Sequence, residues 1–294
     1  MIHIMSPVLS TRSPNTFYTA QGLGDRVHLV TVAWCISNAM IQPVRLHLHK
    51  MQSSERKKNS FNEILKLFPD GHIELVFHEY EPKTDSEFER FLRGNYGEIN
   101  RIFYGDYLGW NEKTIGIDVS LFLSRIPLLS FPSETARNEE IANRNRYITS
   151  QWDTTGEKRR FKQQEVTKIL NAYKLEGYEV ITVGGEASEE RYRESLLHIA
   201  ELIAGAEFHV GVDSGFMHFA QLFLSTSRIH VYSKLGNFWS HHLFRGLDNG
   251  MKLNVYFKKI SRISLFFIRL RYDSPGLAKV VHNLHDRARL RLGR

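Results

Sequence analysis

The sequence contains a single cysteine and no long uninterrupted apolar run. Cys35 has no second cysteine with which to form a disulfide, and its mostly apolar surroundings, from Val30 to Ile36, predict a buried thiol in a reducing compartment. No stretch reaches the roughly 18–20 apolar residues that cross a bilayer, and residues 1–18 lack the features of a secretory leader. We therefore expect a soluble, cytoplasmic protein.

Acidic residues are scarce at the carboxy-terminal end. Residues 251–294 contain eleven Lys and Arg side chains against Asp273 and Asp286, a net charge of +9, which leaves −2 for the rest of a chain whose formal charge is +7. The mixed basic and apolar residues from Tyr256 to Tyr272 fit two interpretations. One is peripheral contact with the inner face of an anionic membrane, where each cation contributes about 1 kcal/mol; the other is a helix packed back onto the first domain.

The rest of the chain alternates strand patterns with helical patterns, which is typical of a parallel sheet covered by helices on both faces. The alternation begins with a strand predicted at 16–19 and a helix that follows the turn at 21–25 and runs to about residue 40, and it restarts with a strand at 147–150. Later in the second series, a helix is predicted from Glu189 to Ala204. We expect an α/β fold with two Rossmann-like domains facing each other across a cleft. The predicted divisions are an amino-terminal domain at 1–135, a linker around 131–145, a second domain at 146–250, and a basic helical tail at 251–294.

The strand predicted at Glu207–Val212 is followed by Asp213, Ser214 and Gly215, with His218 one turn further on. A helix start presents backbone N–H groups and a positive dipole end, which together favour an anion by about 0.3–2 kcal/mol. Helix capping alone explains Asp213 and Ser214, but it does not explain His218. This turn is therefore either a capped helix start or an anion site.

Three other turns also lie where a predicted strand meets a helix, which is where ligands collect in open α/β sheets. At the first, Gly24 and Asp25 open the long amino-terminal helix, but Val27 stands where a dinucleotide fingerprint needs glycine. In the second half, Gly184 and Gly185 precede Glu186, whose carboxylate either accepts from a ribose or caps a helix.

The remaining turn combines hydroxyls with cations. Thr149, Ser150 and Gln151 end a predicted strand, and Lys158, Arg159 and Arg160 follow shortly afterwards. Such a set suits a diphosphate through charge-assisted hydrogen bonds. Adjacent cations at a helix entrance are otherwise simply solvated, and they oppose the helix dipole there.

The segment from Leu202 to Ala220, LIAGAEFHVGVDSGFMHFA, resembles the signature of the family-nine glycosyltransferases, the heptosyltransferases of lipopolysaccharide core assembly. In that family an Asp-Ser/Thr-Gly-x-x-His-x-Ala motif binds the diphosphate of a nucleotide sugar. The segment Gly24–His28 resembles the family's amino-terminal Gly-Asp-Val-x-His, with Arg26 in place of Val. After Tyr232 the family continues with Phe-Gly-Pro, whereas this chain has Ser-Lys-Leu, so the resemblance leaves the donor sugar open.

The resemblance implies a GT-B fold and transfer of a sugar from a nucleotide-diphosphate donor to a glycan or lipid-linked acceptor. It implies that Asp25 is the general base, with Gly24, Arg26 and His28 on the acceptor side. It further implies that Arg159 or Arg160 replaces a phosphate-binding lysine and that Glu186 contacts the ribose. The complete set of expected donor-binding residues is Thr149, Ser150, Gln151, Arg159, Arg160, Gly185, Glu186, Asp213, Ser214, Gly215 and His218.

The family needs no metal, and we expect neither a metal nor another cofactor here. No two aspartates in the sequence are separated by one residue, so the Asp-x-Asp of metal-dependent sugar-nucleotide transferases is absent. Cations and helix ends would then stabilise the leaving diphosphate. Two alternatives stay open. One is a nucleotide-binding partner protein without catalysis, a degenerate transferase; the other is a basic nucleic-acid-associated protein, which we do not expect because no recognisable nucleic-acid module is present.

Overall fold

The structure is a computed structural model of the 294-residue chain. It describes residues 1–6, 8, 22–50, 53–68, 72–103, 116–118, 129, 146–153, 160–184, 195–212, 214–233 and 254–257. Within these residues, helices accompany three parallel sheets of three, five and two strands, so the α/β fold class with parallel sheets is confirmed.

The elements of the amino-terminal half are, in chain order, β1 (Ile2–Met5), α1 (Leu23–Met40), β2 (Val44–Leu48), α2 (Glu55–Leu65), β3 (Ile73–Phe77), α3 (Asp85–Tyr96), β4 (Arg101–Phe103) and β5 (Gly116–Asp118). Strands β1, β2 and β3 form one parallel sheet in that order, and β4 pairs with β5. Asn100, directly before β4, bridges to Ile4 in β1. Taken with this bridge, the strand order is 3-2-1-4-5, which corresponds to the first five strands of the Rossmann order.

The elements of the second half are β6 (Tyr147–Gln151), α4 (Gln163–Leu175), β7 (Glu179–Thr182), α5 (Leu196–Gly205), β8 (Phe208–Val212), α6 (Gly215–Ala220), β9 (Ile229–Ser233) and β10 (Asn254–Phe257). The five strands are all parallel, in the order β10-β9-β8-β6-β7. Counted within this half the order is 2-1-3-4-5, the other common doubly wound arrangement. Its topological switch point, where ligands bind in such sheets, lies between β6 and β8.

Helix α1 is buried along most of its length. All residues from Arg26 to Ser37 are buried, as expected for a helix that is apolar around most of its circumference. The helix contacts β2, β3 and α2 in its own half, and it contacts α6 in the second half. Cys35 is buried within it, and burial raises the pKa of the thiol to about 12, which confirms the prediction of a buried thiol.

Three predictions about elements need correction. The first strand of the chain is Ile2–Met5, which the sequence pattern missed, and the strand predicted at 16–19 lies outside the described residues. The helix predicted from Glu189 instead begins at Leu196, because the Ser195 side chain caps it by accepting the His198 N–H at 3.2 Å. The tail was predicted to be helical, but residues 254–257 pair with β9 as a parallel strand.

The domain boundaries and the linker around 131–145 remain predictions, since the linker lies outside the described residues. Among the helices that the structure describes, none is both long enough and apolar enough to cross a membrane.

Candidate functional site

A side-chain hydrogen bond connects the two chain segments at the switch point of the second sheet. The Ser214 hydroxyl, directly before α6, donates to Oε1 of Gln151 at the end of β6, at 2.6 Å. The amide Nε2 of Gln151 donates in turn to the backbone carbonyl of Asp153. Two residues that the sequence assigned to the same ligand are thus brought together from positions 63 apart.

Close backbone packing between β6 and β8 depends on glycine. Gly211 in β8 is paired with Gln151 in β6. A Cβ at Gly211 would lie 2.1 Å from the Gln151 carbonyl oxygen, a distance that no side chain tolerates. The absence of a side chain there lets the two strands approach directly beneath the Gln151–Ser214 bond.

Ser214 occupies the N-cap position of α6, but its side chain makes no capping hydrogen bond. Capping is the structural explanation that the sequence suggests for this serine, but in the structure its hydroxyl donates to Gln151 instead. Since α6 has only six residues, its dipole is small. An anion bound at this point would depend mainly on side chains and on neighbouring elements.

The start of α1 lies directly against the start of α6. A Cβ at Gly215 would lie 2.6 Å from the Gly24 backbone nitrogen and 2.8 Å from Cβ of Leu23. A Cβ at Gly24 would lie 2.8 Å from Cδ2 of His218. The two glycine turns, predicted separately from the sequence, are therefore in mutual contact across the two halves of the chain.

Two histidines accompany this glycine contact. The rings of His28 and His218 meet edge to face, with their centroids 6.4 Å apart. His28 is buried, and His218 is 8% exposed. Both therefore belong to the contact between α1 and α6, with His218 the nearer to solvent.

Asp25 sits in the first turn of α1, half-buried, one residue after Gly24. Its Oδ2 accepts the backbone N–H of Gly22 at 3.2 Å. A carboxylate at this position is favoured by the positive end of the helix dipole. Asp25 thus has a local structural role and also lies at the contact between the two halves.

Arg26 points away from this contact. Its side chain is 6% exposed, and its Nε donates to the Ser60 hydroxyl of α2 at 3.0 Å. Burial lowers the pKa of the nearby Lys57, and the Arg26 charge lowers it further. The guanidinium therefore joins α1 to α2, where the sequence had suggested an acceptor-side residue.

Adjacent residues of β6 face different environments. The Thr149 hydroxyl lies 3.1 Å from Nδ1 of His209, and both side chains are buried. Burial lowers the pKa of His209 to about 3, so this imidazole is neutral near pH 7. The Ser150 hydroxyl is buried and has no hydrogen-bond partner among the atoms that the structure describes.

The turn after β7 also reaches α6. Gly184 has a φ of +69°, and a Cβ there would lie 2.4 Å from Cε2 of Phe216. Glycine is therefore required both by its backbone conformation and by this contact. Arg160 is described and exposed. The predicted donor residues Arg159, Gly185, Glu186 and Asp213 lie outside the described residues.

One group near the site was missed in the sequence. Trp152, Phe161 and Tyr232 form an aromatic cluster at the carboxyl end of the second sheet, with ring centroids 5.4–6.4 Å apart. The sequence feature that could have revealed this cluster is an aromatic residue at the end of each strand. Trp152 directly follows β6, and Tyr232 is the penultimate residue of β9.

No protein-family model matches the chain, and no curated protein matches it. Among solved structures it is similar to the glycosyl transferase family 9 protein of Veillonella parvula, with a TM-score of 0.52 and 12% identity over 94% of this chain and 89% of that one. It is also similar to the ADP-heptose lps heptosyltransferase II of E. coli, with a TM-score of 0.51 and 11% identity over 93% of this chain and 99% of that one.

A third similar structure is the iron-containing dodecameric glycosyltransferase TibC of enterotoxigenic E. coli, with a TM-score of 0.47 and 12% identity. The match covers 88% of this chain and 63% of the length of TibC. At 11–12% identity, the two matches with TM-scores above 0.5 establish a shared fold. The chain has the α/β fold found in family 9 glycosyltransferases and heptosyltransferases.

Proposed function

We propose that this protein is a glycosyltransferase that moves a sugar from a nucleoside-diphosphate donor to a hydroxyl of a glycan or lipid-linked acceptor. One observation carries the proposal: the start of α1, with Asp25, packs against the start of α6 at the switch point of the second sheet. The fold shared with family 9 glycosyltransferases supports it. In this proposal the two Rossmann-like halves face each other across the substrate cleft.

The donor diphosphate would bind beyond the carboxyl ends of β6 and β8. Ser214 and Gly215 begin α6 there, and His218 lies one turn further on. Because α6 is short, cations are needed as well, and Arg160 together with the adjacent Arg159 would supply them. These side chains stabilise the negative charge that develops on the leaving diphosphate, so we propose that no metal is required.

Gln151 is proposed to position the Ser214 hydroxyl. In the structure this hydroxyl donates to Gln151, so it presents its lone pairs outward. To donate to a phosphate oxygen, the Ser214 hydroxyl must give up its bond to Oε1 of Gln151. Rotation of the hydroxyl would release its proton for the donor while Gln151 keeps its bond to the Asp153 carbonyl. Gln151 thus acts through Ser214.

Asp25 is proposed as the general base. Its carboxylate takes the proton of the acceptor hydroxyl while the acceptor oxygen forms a bond to the anomeric carbon of the donor sugar. The bond between that carbon and the diphosphate oxygen breaks, and the nucleoside diphosphate leaves with the electron pair. Gly24 and His28 border this side of the site, whereas we assign Arg26 to the packing of α1 on α2.

A second candidate function is supported by the bond between Asp25 and Gly22. Because the carboxylate accepts the N–H of the N-cap residue, capping explains Asp25 without any catalytic role. On this basis the chain would be a nucleotide-binding partner protein that no longer transfers sugar. The two candidates share the donor site and differ in what Asp25 does.

The direct test offers the purified chain a panel of ADP-, GDP- and UDP-sugars and measures release of the nucleoside diphosphate, with and without EDTA. We expect release from at least one donor, unaffected by the chelator. Binding of a nucleoside diphosphate without release from any donor, with every candidate acceptor tried, would favour the partner protein. Neither binding nor release would contradict both candidates.

A further inference from the structure

Three histidines form a continuous hydrogen-bonded chain across the first sheet. Nδ1 of His3 lies 3.0 Å from Nε2 of His47, and Nδ1 of His47 lies 2.9 Å from Nε2 of His78. The residues come from β1, from β2 and from the position directly after β3. His47 is 0% exposed, whereas His3 and His78 at the two ends are half-buried.

The ring geometry matches hydrogen bonding in series. The planes of His3 and His47 are within 17° of parallel, with centroids 5.3 Å apart, and those of His47 and His78 are within 23°, with centroids 5.2 Å apart. Each centroid separation is close to the nitrogen–nitrogen distance plus one ring radius on each side, so the rings lie edge to edge. His47 uses opposite nitrogens for its two neighbours, and therefore no single metal ion could bind all three imidazoles.

The two hydrogen bonds limit how many ring protons the three histidines can hold. Three neutral imidazoles carry three ring protons, of which one lies in each hydrogen bond and one lies at an end. One added proton occupies the other end and leaves both bonds intact. A second added proton must place two N–H groups head to head, which breaks a bond and sets two cations side by side.

Aromatic rings of α3 cover the histidine chain. The centroid of the Tyr96 ring lies 4.5 Å from that of His47, 5.6 Å from that of His3 and 5.8 Å from that of His78. Phe88 and Phe91 meet the His78 ring edge to face at 5.9 and 5.6 Å. An aromatic face favours one cation, but desolvation by the same rings opposes the accumulation of charge.

Charges on the strands also act on the chain. Burial lowers the pKa of His3, and the Arg45 charge and the amino terminus lower it further, while Glu74 raises it. Arg45 and Glu74 form an ion pair at 2.6 Å. His49, buried on the same face of the sheet, adds another imidazole beside α3.

The carboxylates of α3 are engaged with partners of their own. Arg90 lies near Tyr80 and Glu87, where its charge acts on both groups. These engaged carboxylates give the histidines no dedicated counter-ion. The pairs are Asp85 with the Val8 N–H, Glu87 with the Lys83 N–H and the Tyr80 hydroxyl, and Glu89 with Arg93 and Arg101.

We propose that His3, His47 and His78 form one site that binds a single extra proton, and that this site makes the packing of α3 on the first sheet sensitive to pH. Above neutral pH the three histidines are uncharged and both hydrogen bonds between them are made. At moderately acidic pH they accept one shared proton. Further acidification breaks a hydrogen bond between the histidines and loosens the packing of α3. This device does not depend on the proposed enzymatic function.

The direction of the pH effect follows from the two end states. Burial, followed by the charges of His78, His3 and Arg45, lowers the pKa of His47 from 6.5 to about 3. Burial also lowers the pKa of His78. The unfolded chain therefore binds more protons than the folded one below pH 6.5, and stability falls as the pH drops from 6.5 toward the folded-state values. Where the three histidines bind three protons in the unfolded protein and one in the folded protein, the difference is two. Such a difference reduces the folding equilibrium constant about 100-fold for each pH unit of acidification.

Nitrogen NMR of the full-length chain labelled with ¹⁵N-histidine tests the shared proton. We expect the three rings, assigned with single His→Gln variants, to titrate together and to take up one proton in total before α3 signals change. Three independent titrations near pH 6.5, or uptake of two protons with all bonds intact, would overturn the proposal.

Hydrogen exchange tests the coupling to α3. We expect α3 amides to exchange at least tenfold faster at pH 4.5 than at pH 7, after correction for intrinsic rates, while α4 amides change much less. His78→Gln, which removes one end of the chain, should weaken this pH dependence, and the exposed control His72→Gln should leave it unchanged. If His78→Gln does not fold, His3→Gln removes the other end. Equal pH dependence in wild type and in the end variants would refute the device.

Discussion

Helices α1 and α4 begin alike but lie in different surroundings. At each start the third helical residue is a carboxylate that accepts the N–H of the N-cap residue, Asp25 from Gly22 at 3.2 Å and Glu165 from Lys162 at 2.8 Å. Next to Asp25 the backbone is packed against α6 at the switch point, whereas Gln163 and Gln164 next to Glu165 are exposed. The same local capping geometry therefore occurs in two different environments, and only the environment of Asp25 supports the proposed catalytic role.

The largest expected effect comes from removing the Asp25 charge. Asp25→Asn keeps the size and the ability to accept from Gly22 but cannot take a proton, so transfer should fall by about 10²- to 10⁴-fold with donor affinity unchanged. Glu165→Gln is the matched control, since it alters the same capping contact and should leave transfer intact. Steady-state kinetics with calorimetry of donor binding gives both readouts. Equal activities of the two variants would show that Asp25 only caps α1 and has no catalytic role.

The glycine contact between the two starts should be the next most sensitive feature. Gly215→Ala places a methyl group 2.6 Å from the Gly24 nitrogen, so α1 and α6 must separate, at a cost of about 1–3 kcal/mol in unfolding free energy. Donor binding should weaken as well. Gly94→Ala in α3 is the control, because a Cβ there meets nothing within 4 Å and should stabilise the helix by about 0.5–1 kcal/mol. Chemical denaturation measures both, and a harmless Gly215→Ala would argue against tight contact.

A smaller effect is expected for the bond at the switch point. Gln151→Ala removes the partner of the Ser214 hydroxyl, which costs about 0.5–1.5 kcal/mol in stability and should weaken donor binding by about tenfold. Gln164→Ala, an exposed glutamine on α4, provides the comparison. If Gln151→Ala and Ser214→Ala affect donor affinity additively, Gln151 does not act through Ser214.

The smallest effect on donor binding is expected at Thr149. Its hydroxyl faces His209, so Thr149→Val should leave donor affinity unchanged while lowering stability by about 1–3 kcal/mol, because the buried imidazole loses its partner. Ser150→Ala should do the reverse, since the Ser150 hydroxyl has no partner among the described atoms. Thermal unfolding and calorimetry separate the two outcomes. A loss of affinity in Thr149→Val would show that the strand end is arranged differently when the donor is bound.

The elements with a clear hydrophobic period could be predicted from the sequence. The helix that ends at Met40 and the strands that begin at Val44, Ile73 and Tyr147 are confirmed, because their apolar residues repeat at helical or strand spacing. Ile2–Met5 was missed because the first strand was placed at 16–19, next to the predicted helix. The strand at Asn254–Phe257 was missed because its aromatic and apolar residues merge with a basic segment.

The candidate site was predicted as separate turns but not as a set of contacts. That Gly24 meets Gly215 depends on how the two halves pack, which no local pattern records. That Ser214 bonds Gln151 rather than its own helix likewise depends on a neighbouring strand. The histidine chain needs the register of three strands, since His3, His47 and His78 align only once β1, β2 and β3 are paired.

The central claim is that the start of α6 binds a nucleoside diphosphate, and isothermal titration calorimetry of the full-length chain with ADP, GDP and UDP tests it most directly. We predict saturable binding of at least one of the three in a 1:1 ratio, weakened by His218→Ala and unchanged by the matched variant His198→Ala on α5. No binding of any of the three, or equal binding by the His218→Ala variant, would contradict the assignment of this site.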